Sequence, residues 1–157
     1  MPKHHEVRAL PYSATQMYEL VIDVARYAEF LPWVCAVRVR SDTEYQMLAD
    51  LVVGFRAIKE RFTSRVTKER ARRVHVDYLE GPLKFLYNEW LFEDDGNGGC
   101  RVDFTVEFAF KSRVFEALAG QLFDYALRKM IGAFETRAHQ LYGVDSGINK
   151  SSAINAA

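Results

Sequence analysis

The sequence predicts an α+β fold: a curved antiparallel sheet of seven strands, two short helices between the first and second strands, and one long C-terminal helix lying across the sheet. Three observations carry this prediction. Between Ser112 and Tyr142 the apolar residues Phe115, Leu118, Ala119, Leu122, Phe123, Ala126, Leu127, Met130, Ile131, Phe134, Ala138 and Leu141 recur at i, i+3, i+4 and i+7, the mark of a helix buried along one broad stripe. Just before it, Val102, Phe104, Val106, Phe108 and Phe110 alternate with Arg101, Asp103, Thr105 and Glu107, the period of a strand with one buried face. From Trp33 to Phe110 the pattern stays strand-like, with no helical period between strands to suggest parallel crossovers. At 1.5 Å per residue the helix spans roughly 45 Å. Only a wide surface buries that length, so sheet and helix share one core.

The elements follow in order. Residues 3–10 alternate with Val7 and Ala9 on one face and end at Pro11, as a first strand should. Ser13 and Gln16 have capping-box spacing, and Tyr12 with Met17 forms a hydrophobic staple, so a short helix runs through Leu20 and Val21. Asp23 is placed to cap a second short helix carrying Val24, Tyr27, Ala28, Phe30 and Leu31, which Pro32 ends by pushing its predecessor out of helical geometry. Cys35, Val37 and Val39 form the apolar face of the next strand, and Ser41–Glu44 turns it into a strand with Tyr45, Met47, Ala49, Leu51, Val53 and Phe55 on one face. Ile58, Phe62 and Val66 continue the buried face, which Glu60 and Ser64 share by register. Arg72–Leu79 and Lys84–Glu93 are separated by the breakers Gly81 and Pro82, and Asp94–Gly99 is a glycine-rich hairpin turn.

A length of 157 residues fits one domain, expected over 1–144, with the small, polar, aperiodic stretch 145–157 read as a disordered tail. Lys plus Arg balances Asp plus Glu at 21 each, so no net field draws the chain to DNA or another polyanion. Cys35 and Cys100 lack CxxC spacing, no secretory leader precedes residue 13, and no apolar run reaches membrane-span length; a cytoplasmic protein is expected.

Phe30-Leu31-Pro32-Trp33, the block Gly81–Leu86 followed by Asn88, Trp90 and Phe92, the strand Val102-Asp103-Phe104, and Phe123-Asp124 with Ala133–Ala138 in the long helix together resemble the coenzyme Q-binding START-domain proteins. The resemblance covers about residues 3–143. One departure is that Val34 intervenes between the Pro-Trp pair and Cys35, where that family often has the thiol directly after it. The resemblance implies the helix-grip fold of the polyketide-cyclase and lipid-transfer superfamily, enclosing a hydrophobic tunnel. It further implies that the tunnel binds a polyprenyl quinone, ubiquinone or an intermediate, as a carrier or chaperone supporting respiratory electron transport. Ubiquinone would be a bound ligand with no cofactor and no chemical step, and the protein would touch the inner face of the respiratory membrane peripherally.

On that basis the ligand-binding candidates are Phe30, Trp33, Glu60, Phe62, Leu86, Asn88, Trp90, Phe104, Phe108, Phe123, Leu127 and Met130. Most would serve equally as core, because aromatic residues dominate cores on area alone. Phe85 is a further lining candidate if strand parity runs the other way; the parity adopted turns Leu86, Asn88, Trp90 and Phe92 inward. An inward Asn88 either donates to a quinone carbonyl or satisfies a neighbouring backbone group. Glu60 either meets a headgroup hydroxyl or is paired by a cation such as Arg56, since an isolated buried charge is costly. Phe30–Trp33 either dips into a bilayer interface at the tunnel mouth or plugs the end of the core.

Other chemistry finds less support. His75 and Asp77 fall on the outward parity, in water, and Lys68, Arg70, Arg72 and Arg73 read as a solvated turn. No histidine or cysteine spacing fits a metal site, and the run Asp94–Gly99 lacks the closing glutamate of a calcium loop. Two alternatives from other classes remain. Bacterial relatives described as toxins that associate with the large ribosomal subunit imply a ribosome partner. The superfamily also hosts cyclase and dehydratase enzymes, in which case Glu60 would be the base.

Overall fold

The computed structural model describes residues 2–143 apart from 56 and 57 and the side chains of Phe55 and Ile58; the expected tail at 145–157 lies outside the described residues. The elements are β1 (Lys3–Leu10), α1 (Ala14–Ile22), a 3-10 turn (Val24–Arg26), α2 (Tyr27–Phe30), β2 (Val34–Asp42), β3 (Gln46–Phe55), β4 (Ile58–Glu69), β5 (Arg73–Glu80), β6 (Leu83–Asp94), β7 (Cys100–Phe110) and α3 (Arg113–Tyr142). The described strands form one antiparallel sheet in the order β1-β7-β6-β5-β4-β3-β2, so each strand from β2 to β7 pairs with its sequence neighbour and β1 closes onto β7. This is the helix-grip fold, with α3 held against the concave face.

Local chemistry fixes the helix starts. Ser13 Oγ accepts from the Gln16 backbone N–H at 3.1 Å while Gln16 Oε1 accepts from the Ser13 N–H at 2.9 Å, a complete capping box. Ser112 Oγ caps α3 by accepting from Phe115 N at 3.3 Å. Asp23 does not cap as expected: its side chain accepts no cap bond and lies 3.4 Å from Arg26, so a 3-10 turn precedes the single turn of α2. Pro32 acts as expected, since Leu31 is already extended at φ −84° and ψ 132°.

The strand reading needs two adjustments. β2 continues to Asp42 and the turn centres on Thr43, whose hydroxyl accepts from Tyr45 N and Gln46 N; Tyr45 therefore leaves the apolar series and is 69% exposed. Register shifts at Val34/Ala36 and Val39/Ser41 mark bulges in β2, the first of which turns Cys35 outward to an exposed position. Cys100 is buried against the sheet, and burial pushes its thiol up to about 11, so it stays protonated and unreactive near neutral pH.

The densest core lies at one end of the sheet. There α1 packs Met17, Tyr18 and Val21 against Phe92, Cys100 and Val102, with the rings of Tyr18 and Phe92 edge-to-face at 6.0 Å. The C-terminal half of α3 joins this end through Phe134 and Ala138.

Candidate ligand-binding cavity

Along α3 the burial changes. Leu127, Phe134 and Ala138 are buried, but Phe115, Leu118, Ala119, Leu122 and Phe123 in the first half are only half-buried although they lie on the same stripe. This half stands away from the concave sheet, leaving a cavity of about 540 Å³. That volume falls in the range that encloses one drug-sized molecule. Its walls are the α3 stripe, the inward residues of β3 to β7, and a cap of Val24, Tyr27, Leu31 and Trp33 from the helical corner.

Strand register gives the cavity its depth. Val53 pairs with Glu60 beside the β3–β4 connection, and Leu83 pairs with Phe110 at the same end of the sheet. Here Trp33 and Tyr125 stand with ring centroids 6.4 Å apart, and Tyr125, 54% exposed, forms the mouth. Trp33 holds φ 68°, a left-handed backbone that is uncommon for a bulky residue and that turns the chain abruptly from α2 into β2. At the opposite end Trp90 packs against Phe104 at 4.6 Å and against Phe134 at 5.2 Å, closing the floor.

Eleven of the twelve candidates read from the sequence lie on this wall: Trp33, Glu60, Phe62, Leu86, Asn88, Trp90, Phe104, Phe108, Phe123, Leu127 and Met130. Phe30 does not. Because α2 ends at Phe30, its ring stays with the helical corner, 5.9 Å from Tyr27 and 5.4 Å from Phe134, with the Arg137 guanidinium 5.0 Å above it. Leu31 is buried beside it, so much of this segment plugs the core while Trp33 alone of the four lines the mouth with its ring. The β6 parity is the one adopted: Leu86, Asn88 and Trp90 face the cavity, Tyr87 is 42% exposed on the convex face, and Phe85 is not on the wall.

Polar groups on the wall are few. Asn88 Nδ2 donates to the Thr105 carbonyl at 3.0 Å, which satisfies one amide hydrogen and fixes which end of the amide is nitrogen. Ser64 is 9% exposed, and its hydroxyl has no hydrogen-bond partner among the described residues. Glu60 is half-buried near the mouth and likewise has no described partner; a pairing with Arg56 falls outside the described residues. Tyr27 turns its hydroxyl away to donate to the Val21 carbonyl, and burial raises its pKa far above the ordinary phenol value.

Several wall residues were not singled out from sequence, notably Leu51, Val66, Val76, Val106 and the cap residues Val24 and Leu31. Alternation marked the first four as buried, but nothing local separates a residue facing a cavity from one facing packed core. Two polar placements also differ from expectation. Lys68 is 5% exposed with Nζ 2.5 Å from Asp42 Oδ1, because it shares the inward parity of Ser64 and Val66. His75 is half-buried on the convex face, 3.2 Å from both Asp77 and Glu89, where Arg73 also reaches Glu89 at 2.7 Å. No cluster of three or more potential metal ligands occurs among the described residues.

Comparison with known proteins accords with this geometry. A family described as polyketide cyclase/dehydrase and lipid transport matches residues 10–135. A Pseudomonas aeruginosa protein named ribosome association toxin RatA is 36% identical over 134 residues, covering 85% of this chain and 93% of its own. The mitochondrial coenzyme Q-binding protein COQ10 homolog B of Xenopus laevis is 34% identical over 145 residues, covering 90% of this chain and 59% of its own length. Among solved structures, the ZhuI aromatase/cyclase from a Streptomyces species superposes with a TM-score of 0.80 over 94% of this chain and 99% of its own at 15% identity, a likeness of fold alone.

Proposed function

Since this chain belongs to the polyketide cyclase/dehydrase and lipid transport family, we propose that it encloses one polyprenyl quinone, ubiquinone or an intermediate, and acts as a carrier or chaperone for the respiratory chain. The observation that carries the reading is the apolar cavity of about 540 Å³ between α3 and the sheet. Enclosing an apolar ligand there returns about 25 cal/mol for each Å² removed from water. Its similarity to the coenzyme Q-binding protein supports a quinone as the occupant. The proposed role is binding without a chemical step: among the described residues Glu60 is the one carboxyl group on the wall, and no described lysine or histidine lines the cavity to complete an acid–base pair.

A membrane-borne ligand requires contact with the bilayer. No described helix is long and apolar enough to cross a membrane, so the proposed contact is peripheral, at the cavity mouth and on the inner face of the respiratory membrane. The test is direct binding. A short-tailed ubiquinone analogue should displace an apolar fluorescent probe from the wild type, and Ala126→Trp, which projects an indole from α3 into the cavity, should weaken binding at least tenfold while the fold is retained. Equal affinity in both proteins would remove the cavity from the account.

A second reading rests on the relatives named as ribosome association toxins, which this chain matches over most of both lengths. It places the partner outside the cavity. Co-sedimentation with large ribosomal subunits that survives Ala126→Trp would support it, and absence of co-sedimentation would dismiss it.

A further inference from the structure

The polar atoms on the cavity wall are arranged by depth, and their chemistry differs with depth. At the mouth is the carboxylate of Glu60, whose oxygens accept hydrogen bonds. Four residues deeper along β4, about 13 Å of strand, is the unpartnered hydroxyl of Ser64, which is 9% exposed. Deeper again, level with Val66 through the register Val66↔Val76↔Asn88, is the Asn88 amide, with one N–H given to Thr105 and one remaining. The deep part of the wall therefore offers donors from Ser64 and Asn88, while the entrance carries the one carboxylate among the described wall residues, beside Trp33 and Tyr125.

A quinone ring carries carbonyl oxygens, which only accept. Beside Glu60 they would meet like-charged oxygen; beside Ser64 and Asn88 they would meet donors. One strand, β5, separates the strands bearing these two residues and Asn88 lies two residues deeper, so they face the cavity across roughly 12 Å of concave sheet. A six-membered ring with oxygens on opposite edges bridges such a gap with one hydrogen bond at each side. Size agrees with polarity, since a cavity of about 540 Å³ takes a ring and the first part of a polyprenyl chain, and the remainder must leave through the mouth.

Resting on the quinone reading above, we propose that the ring enters first and is held between Ser64 and Asn88 beside Trp90, with the tail passing out between Trp33 and Tyr125. Glu60 then flanks the tail, its methylenes on the apolar side and its carboxylate toward water. Ser64 and Asn88 select the headgroup, and the apolar wall accepts any prenyl chain.

The protein's two tryptophans test this, because Trp90 lies at the floor and Trp33 at the mouth. Quinones accept electrons from excited indole and quench its emission at contact. In Trp33→Phe, whose sole fluorophore of this kind is Trp90, a short-tailed ubiquinone analogue should quench strongly; in Trp90→Phe, which keeps Trp33, the same bound analogue should quench weakly. Ser64→Ala should reduce affinity for the quinone about three- to tenfold, the loss of one hydrogen bond, and leave affinity for a ring-free prenyl alcohol unchanged. Probe displacement reports binding independently of quenching. Displacement with dominant quenching of Trp33, or equal loss for quinone and prenyl alcohol in Ser64→Ala, overturns the ring-first orientation and leaves quinone binding intact. Absence of displacement by the quinone overturns the functional reading and this orientation with it.

Discussion

Phe134→Ala should destabilise the protein by about 3–5 kcal/mol, while Phe123→Ala, the same deletion eleven positions earlier on the same helix, should cost no more than about 1–2 kcal/mol. Phe134 is 8% exposed, and its ring meets those of Tyr27 at 5.6 Å, Phe30 at 5.4 Å and Trp90 at 5.2 Å, each near edge-to-face. Phe134 touches the cavity only at its floor, and the rest of its ring is enclosed by these aromatic neighbours, so removing it deletes packed contacts. Phe123 is half-buried on the cavity wall, where its ring faces Phe108 at 5.8 Å on one side and open volume on the other, so truncation enlarges a space that already exists. Urea unfolding with a common m value reads the difference as separated midpoints. Coincident midpoints would mean that α3 is packed equally along its length and that the gap beneath its first half is filled in solution.

The second large effect lies on the convex face. Asp50 is 4% exposed, held by Arg40 through Nε at 2.8 Å and Nη2 at 2.9 Å, with the Thr63 hydroxyl donating at 2.6 Å. Asp50→Ala leaves Thr63 buried without its acceptor and frees Arg40 from its fork, and should cost about 2–3 kcal/mol; Arg40 keeps part of its hydration, which limits the loss. The Thr63 hydrogen bond, aided by Arg40 and opposed by burial, holds the Asp50 carboxyl below its ordinary value of 3.8. Its contribution to stability is therefore complete above the unfolded value and disappears as pH falls through the lower folded one. In Asp50→Asn the acid decline of stability below about pH 4 should be shallower than in the wild type. Parallel acid limbs in the two proteins would assign the decline to other carboxyls, such as Glu6, which hydrogen bonds to Arg8 and His4 also hold low.

Much of this architecture was legible because periodicity is a backbone property. The 3.6-residue stripe of α3, the alternation of β7 and the Ser13/Gln16 box each name an element from its own residues, and each is present at nearly the expected boundaries. What sequence could not give is contact across elements. Asp50 falls opposite the apolar parity of β3, and nothing local announces that Arg40 and Thr63 hold it buried, because pairing and the bulge at Val39/Ser41 are invisible in the sequence. Lys68 read as a charged turn residue for the converse reason, its inward parity outweighed by its charge. The Phe30–Trp33 segment reads as an apolar loop at the tunnel mouth, which makes Phe30 a ligand-binding candidate, whereas a single helical turn directs it into the packed corner. The hollow itself left no local trace, since Leu122 and Phe134 belong to one stripe and both reach the cavity, yet Leu122 is half-buried and Phe134 is buried at its floor, a difference set by what packs opposite them.

The space beneath the first half of α3 is proposed to hold a quinone in the cell. The most direct test is mass spectrometry of organic extracts from the protein purified gently from quinone-replete cells of its own host, beside the cavity-filled Ala126→Trp variant. Near-stoichiometric polyprenyl quinone in the wild type and little in a folded variant is the predicted result. A wild type that carries no quinone, or a variant that carries as much, would contradict it.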